Sequence, residues 1–86
     1  MFRLEIDPGV LKELAVIQKG YPALYRRVVA AIDSLTEEPY QGKNLGGELA
    51  DRYSLRVGPY RILYCILKNR LVIYVIDLGH RREIYR

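Results

Sequence analysis

A single cysteine, Cys65, and a single histidine, His80, exclude two common ways of holding a small chain together. One thiol cannot close an intramolecular disulfide framework, and one thiol with one imidazole falls short of the four ligands a structural zinc site takes. No metal and no other cofactor is expected. Long apolar runs are also missing, since none approaches the roughly 20 residues that cross a bilayer. The start, Met1 to Asp7, alternates and carries two acids, unlike a signal peptide. A cytoplasmic protein without membrane contact is the expectation. Half of the residues are hydrophobic and 28% are charged, too apolar a balance for a disordered chain. The 86 residues are expected to fold as one domain, 1–86. Its stability margin at this size is about 3–5 kcal/mol, which a bound partner would raise.

What is present is unevenly spread. Residues 1 to 43 hold six basic and six acidic side chains, whereas Arg52 to Arg86 hold eight basic residues against Asp77 and Glu83. Seven of those eight are arginine, whose planar fork suits phosphate, so the second half points to a polyanion or an acidic partner. A solvated basic surface is the plain alternative.

Phe2-Arg-Leu-Glu-Ile alternates with period two and reads as a half-buried strand. Asp7-Pro8 then starts a helix, the aspartate as cap and the proline where its missing donor costs nothing. This helix runs to about Lys19, with Gly20 as its stop. A second, from about Pro22 to Thr36, places Leu24, Val28, Ala31, Ile32 and Leu35 along one stripe. Glu38-Pro39 ends this helical hairpin, and Tyr40 to Ala50 is a long connection. Three strands follow, Arg52 to Val57, Tyr60 to Leu67 and Leu71 to Leu78, as an antiparallel meander. The fold class is α+β, with both helices on one face of the sheet and the other face partly open.

If Gly58-Pro59 is a two-residue loop, Val57 faces Tyr60, Arg56 faces Arg61, Leu55 faces Ile62 and Ser54 faces Leu63. Directly opposed residues share a face, so two cations stand side by side, an arrangement that destabilises the sheet unless something negative lies between them. An internal carboxylate from Asp51, Asp77 or Glu48 is one answer; a phosphate clamp is the other. The apolar residues taken to share this face, Leu63, Cys65, Val72 and Ile76, make a patch that the helices are expected to leave uncovered and that suits a docking segment.

The tail, Gly79-His80-Arg81-Arg82-Glu83-Ile84-Tyr85-Arg86, leaves the third strand beside Arg61, so its basic groups are expected at the same rim. Eight tyrosines are many for this length. Tyr53, Tyr60, Tyr64 and Tyr74 alternate within strands and read mainly as packing, with the hydroxyl at an edge. Tyr85, among arginines, is the one read as functional, since a tyrosine ring can stack on a base and its hydroxyl can reach a phosphate. His80 is either a polar rim residue or a proton carrier.

The succession of strand, helical hairpin, Leu45-Gly46-Gly47-Glu48-Leu49, Tyr53-Ser54-Leu55-Arg56-Val57, Tyr60-Arg61-Ile62-Leu63-Tyr64 and Gly79 to Tyr85 resembles the RelE/ParE toxin superfamily of type II toxin–antitoxin systems, on the RelE side. The resemblance covers almost the whole chain. It implies a β-α-α-β-β-β fold and a metal-independent endoribonuclease that cleaves messenger RNA in the A site of the small ribosomal subunit. It also implies a cognate antitoxin, with a heterotetrameric complex among the expected assemblies. By the same resemblance Arg61 matches a cleft arginine, Arg56 a basic residue of the preceding strand, Arg81 or Arg82 a basic residue of the tail, and Tyr85 a C-terminal tyrosine. Arg56 stands where the best-known members carry a lysine, and Ser54 where they carry a second one. The expected catalytic set is Arg56, Arg61, Arg81 and Tyr85, with Arg52, Ser54, His80, Arg82 and Arg86 along the RNA. Arginine clamps charge but shuttles protons poorly, so Tyr85, or else His80, is expected to handle the proton of the 2′-hydroxyl. A ParE-like inhibitor of DNA gyrase and a non-catalytic RNA-binding module are the alternatives.

Overall fold

The computed structural model describes residues 2–80. Strand β1, Arg3–Ile6, is followed by helices α1, Pro8–Gly20, and α2, Pro22–Ser34. A two-residue strand, β2, Lys43–Asn44, precedes the three longer strands β3, Arg52–Val57, β4, Tyr60–Leu67, and β5, Val72–His80. The sheet has the order β1-β5-β4-β3-β2.

Two features depart from the expected meander. Strand β1 pairs parallel with β5, Arg3 to Val72 through Ile6 to Val75, so the sheet is mixed. Parallel neighbours need a long crossover, which the helical hairpin supplies in part. The second departure lies inside the connection, where Lys43 and Asn44 pair antiparallel with Ser54 and Tyr53. The last strand also runs two residues beyond Leu78, to His80.

Helix α1 begins as its residues dictate, with the Asp7 carboxylate accepting from Gly9 N at 2.8 Å and Pro8 in the first turn. The two helices share one linking residue: Tyr21 N–H donates to Ile17 O, and Tyr21 O accepts from Tyr25 N. Gly20 thus ends α1 from inside the helix. Val10, Leu14 and Ile17 of α1 and Val28 and Ile32 of α2 pack on Ile62, Tyr64, Ile66, Ile73, Val75 and Leu78 of the sheet. The alternation that buries this face turns Arg52, Ser54 and Arg56 of β3 and Arg61, Leu63 and Cys65 of β4 to the other.

That second face is less open than the sequence suggests. Cys65 and Val72 are buried, while Leu63 and Ile76 are half-buried. The register slips between Leu63, opposite Asp77, and Tyr64, opposite Val75, so Ile76 is the extra residue of a bulge rather than a regular member of the patch. Burial pushes the Cys65 thiol above its ordinary pKa, which makes it a packing residue rather than a nucleophile.

Two tyrosine hydroxyls tie distant segments to the sheet. Tyr64, fully buried, donates to Pro39 O at 2.8 Å and accepts from Gly42 N at 3.1 Å. A Cβ at Gly42 would stand 2.7 Å from that hydroxyl and 2.9 Å from Ser54 O, so this close approach requires glycine. Tyr74 donates to Asp7 Oδ2 at 2.9 Å, so one carboxylate caps α1 and holds it to β5.

Replacing Tyr64 by Phe leaves Pro39 O and Gly42 N without their partner, and the expected loss in urea unfolding is about 2–4 kcal/mol. The hydrogen bond to Asp7 raises the Tyr74 pKa, which favours the neutral phenol in the folded state. Tyr74→Phe is therefore expected to unfold at lower urea than the parent at neutral pH. The gap should close as pH rises above about 10, where the parent phenol ionises; a gap that widens with pH would contradict this linkage.

Candidate functional site

Gly58 has φ 56°, and Pro59 is confined to negative φ by its ring, the sign pattern of a type II′ hairpin turn. The two-residue loop fixes the register: Val57 pairs with Tyr60, Arg56 with Arg61, Leu55 with Ile62 and Ser54 with Leu63. Val57 and Tyr60 close the hairpin, so Arg56 and Arg61 form the narrow type of antiparallel pair, with Cα atoms about 4.5 Å apart. None of the candidate carboxylates, Asp51, Asp77 or Glu48, forms an ion pair with Arg56; among pairs of described residues the recorded bridge joins Arg3 and Glu5 at 3.8 Å. Asp77 accepts from the Leu78 backbone N at 2.8 Å instead.

Arg56 is exposed, whereas Arg61 is half-buried and lines a cavity of about 380 Å³ with Lys43, Asn44 and Leu45. Those residues belong to β2 and its exit, two strands away. Arg61 and Lys43 thus face one cavity from opposite sides of β3. Ser54 is 3% exposed, and its hydroxyl has no hydrogen-bond partner among the described residues. Its register partner across the β2–β3 pair is Lys43, which places the lysine on the same face.

Lys43 is held by a folded connection. Leu45 N donates to Arg52 O at 3.0 Å, Asn44 Nδ2 to Ala50 O at 2.7 Å and Gly46 N to Asn44 Oδ1 at 2.9 Å. Gly46 and Gly47 adopt positive φ of 74° and 55°, so these glycines turn the chain back to β3. Reading this stretch as a plain connection overlooks Lys43. A lysine between Gly42 and the Asn44 turn is a weak signal, and its pairing with Ser54 is a tertiary fact.

The other expected residues are distributed unevenly. Arg52 is exposed on the face of Arg56, four register pairs further from the turn. On β5, Gly79 lies opposite Arg61, while His80 lies opposite Tyr60, with ring centroids 6.2 Å apart and edge-to-face. Tyr60 packs against the helix-side core and donates weakly to Glu13 Oε2 at 3.5 Å. The register therefore puts His80 on the face turned away from Arg61. Arg81, Arg82, Tyr85 and Arg86 lie outside the described residues.

A second cleft, of about 480 Å³, lies at the far end of β3 and β4, between Tyr40, Asp51, Tyr53, Lys68 and Arg70. Tyr53 stacks on Tyr64 at 5.6 Å and meets Tyr40 edge-on at 5.8 Å, which makes this wall a continuation of core packing. No helix among the described residues is long and apolar enough to cross a membrane.

Comparison with known proteins agrees with this fold. The chain matches the family model described as the ParE toxin of type II toxin–antitoxin systems over residues 4–85. It is 38% identical over 85 residues to Toxin RelG of Mycobacterium tuberculosis, covering 92% of this chain and 98% of that protein. The archaeal RelE–RelB complex of Pyrococcus horikoshii superposes with a TM-score of 0.78 at 31% identity, covering 93% of this chain and 94% of that one. The RelBE2 toxin–antitoxin complex of M. tuberculosis gives 0.77 at 28% identity, with coverage of 93% and 98%. With the helical hairpin, the five-stranded sheet and the sequence match in agreement, the chain belongs to the ParE toxin family, within the RelE/ParE superfamily of type II toxins.

Proposed function

We propose that the protein is a ribosome-dependent endoribonuclease that cleaves messenger RNA in the A site and is neutralised by a cognate antitoxin. The observation that carries this reading is the opposed pair Arg56 and Arg61, with no carboxylate among the described residues to neutralise Arg56. Identity to Toxin RelG and likeness to RelE proteins found in complex with RelB support it.

The chemistry needs no metal. The 2′-oxygen attacks the adjacent phosphorus, the P–O5′ bond breaks, and the products are a 2′,3′-cyclic phosphate and a 5′-hydroxyl. Arg56, Arg61 and Arg81 bind the phosphate and the charge that grows on it in the transition state, a task for which guanidinium is well suited. Tyr85 takes or orients the 2′-hydroxyl proton. His80 is the reserve for that task only if its ring leaves the Tyr60 face. Arg52, Ser54, Arg82 and Arg86 hold neighbouring parts of the strand. A site with so weak a base acts slowly on free RNA, and the ribosome supplies the orientation it lacks. An acidic antitoxin segment beside Arg56 would both cap the cleft and relieve the like-charge pair, with a heterotetramer as one assembly that presents it.

A ParE-like reading has a specific observation of its own, the family match over residues 4–85. It predicts DNA breaks that depend on gyrase, with intact messenger RNA. In a translating extract the parent is expected to produce new messenger 5′ ends in phase with codons. Arg61→Ala should lower their rate by about 100-fold or more, the scale of losing one transition-state donor. Intact messenger beside broken DNA would overturn the ribonuclease reading. RNA binding without cleavage by the parent would favour a binding module instead.

A further inference from the structure

The residues assigned above leave one step of the reaction without an agent. When the P–O5′ bond breaks, the departing oxygen needs a proton, and neither Arg56 nor Arg61 can release one at working pH. Among the described residues, Lys43 is the proton-bearing side chain that lines the same cavity as Arg61.

We propose that Lys43 is a further catalytic residue of the ribonuclease reaction, its ammonium donating the proton that the 5′-oxygen takes up as the P–O5′ bond breaks. The inference rests on the ribonuclease reading above. Three observations carry it. The β2–β3 register sets Lys43 opposite Ser54, on the face that carries Arg56 and Arg61. The cavity of about 380 Å³ joins Lys43 to Arg61 across β3. The hydroxyl of Ser54, the register partner of Lys43, is buried and lacks a partner among the described residues, an arrangement that costs stability and is found where a ligand can complete it.

The placement is also maintained by structure. The Tyr64 hydroxyl at Gly42 N and the Leu45 N to Arg52 O bond bracket Lys43 on either side. Its own side chain is exposed, so the residue can change without loss of core packing. In the balanced step the 2′-oxygen gives up its proton to the base, O2′ bonds to phosphorus, and the electron pair of P–O5′ goes to O5′. Lys43 becomes a neutral amine and recovers its proton from solvent.

The test uses the whole protein and ribosomes programmed with a messenger that carries either oxygen or a bridging sulfur at the 5′ position of the scissile bond. A thiolate leaves without protonation, so it removes the need for a donor. With the oxygen substrate, Lys43→Arg and Lys43→Ala are each expected to slow single-turnover cleavage by about 100-fold or more. The Arg variant should still bind the programmed ribosome within about threefold of the parent, because it keeps its charge. With the sulfur substrate both variants should come within about tenfold of the parent, while Arg61→Ala stays slow. Lys43→Arg cleaving the oxygen substrate at the parental rate would overturn the assignment and leave the ribonuclease reading standing. Slow cleavage by Lys43→Ala on both substrates would also overturn it, by showing a phosphate contact alone. A parent that cleaves neither messenger would remove the ribonuclease reading, and this inference with it.

Discussion

Two guanidinium groups are forced side by side by a turn too short to separate them. Gly58 and Pro59 form a two-residue loop with the φ signs of a type II′ turn, and this loop makes Arg56 and Arg61 direct cross-strand neighbours. Like charges opposed on a sheet are unfavourable by roughly a few tenths of a kcal/mol or more. In a chain of this size, whose whole margin is a few kcal/mol, an anion bound beside exposed Arg56 offsets a cost of that kind. The rest of the site is built around it: Arg61 shares a cavity with Lys43, and Arg56 stays exposed at the rim.

The scaffold reinforces this arrangement from beneath. Buried Tyr64 lies on the helix side of the sheet, yet its hydroxyl holds the connection that brings Lys43 to the opposite face. One phenol therefore links core packing to site geometry. Gly42 makes the link possible, because any side chain there would meet both Tyr64 and the Ser54 carbonyl. The Asp7 carboxylate works in a similar way at the other end, capping α1 and bonding Tyr74.

Much of this was legible in the chain because it is local. Asp7-Pro8 announces a helix start, the apolar stripe of α2 a buried face, and Gly58-Pro59 a register, each from residues adjacent in sequence. What was not legible depends on partners far apart. The parallel pairing of β1 with β5 joins residues about 70 positions apart. The Ile76 bulge breaks an alternation that would otherwise place that residue beside Leu63. A two-residue strand such as Lys43–Asn44 has too few residues for periodicity to show, so nothing local marks Lys43, whereas His80, conspicuous as the lone histidine, lies edge-to-face with Tyr60.

The most direct test of the opposed arginines is equilibrium urea unfolding of the parent and of Arg56→Gln at low salt, each with and without a short RNA made uncleavable by 2′-O-methylation. The account predicts that Arg56→Gln is the more stable protein in the absence of RNA, by about 0.3–1 kcal/mol, and that it gains less than the parent when RNA is added. A variant that is less stable than the parent alone, and that responds to RNA as the parent does, would contradict it.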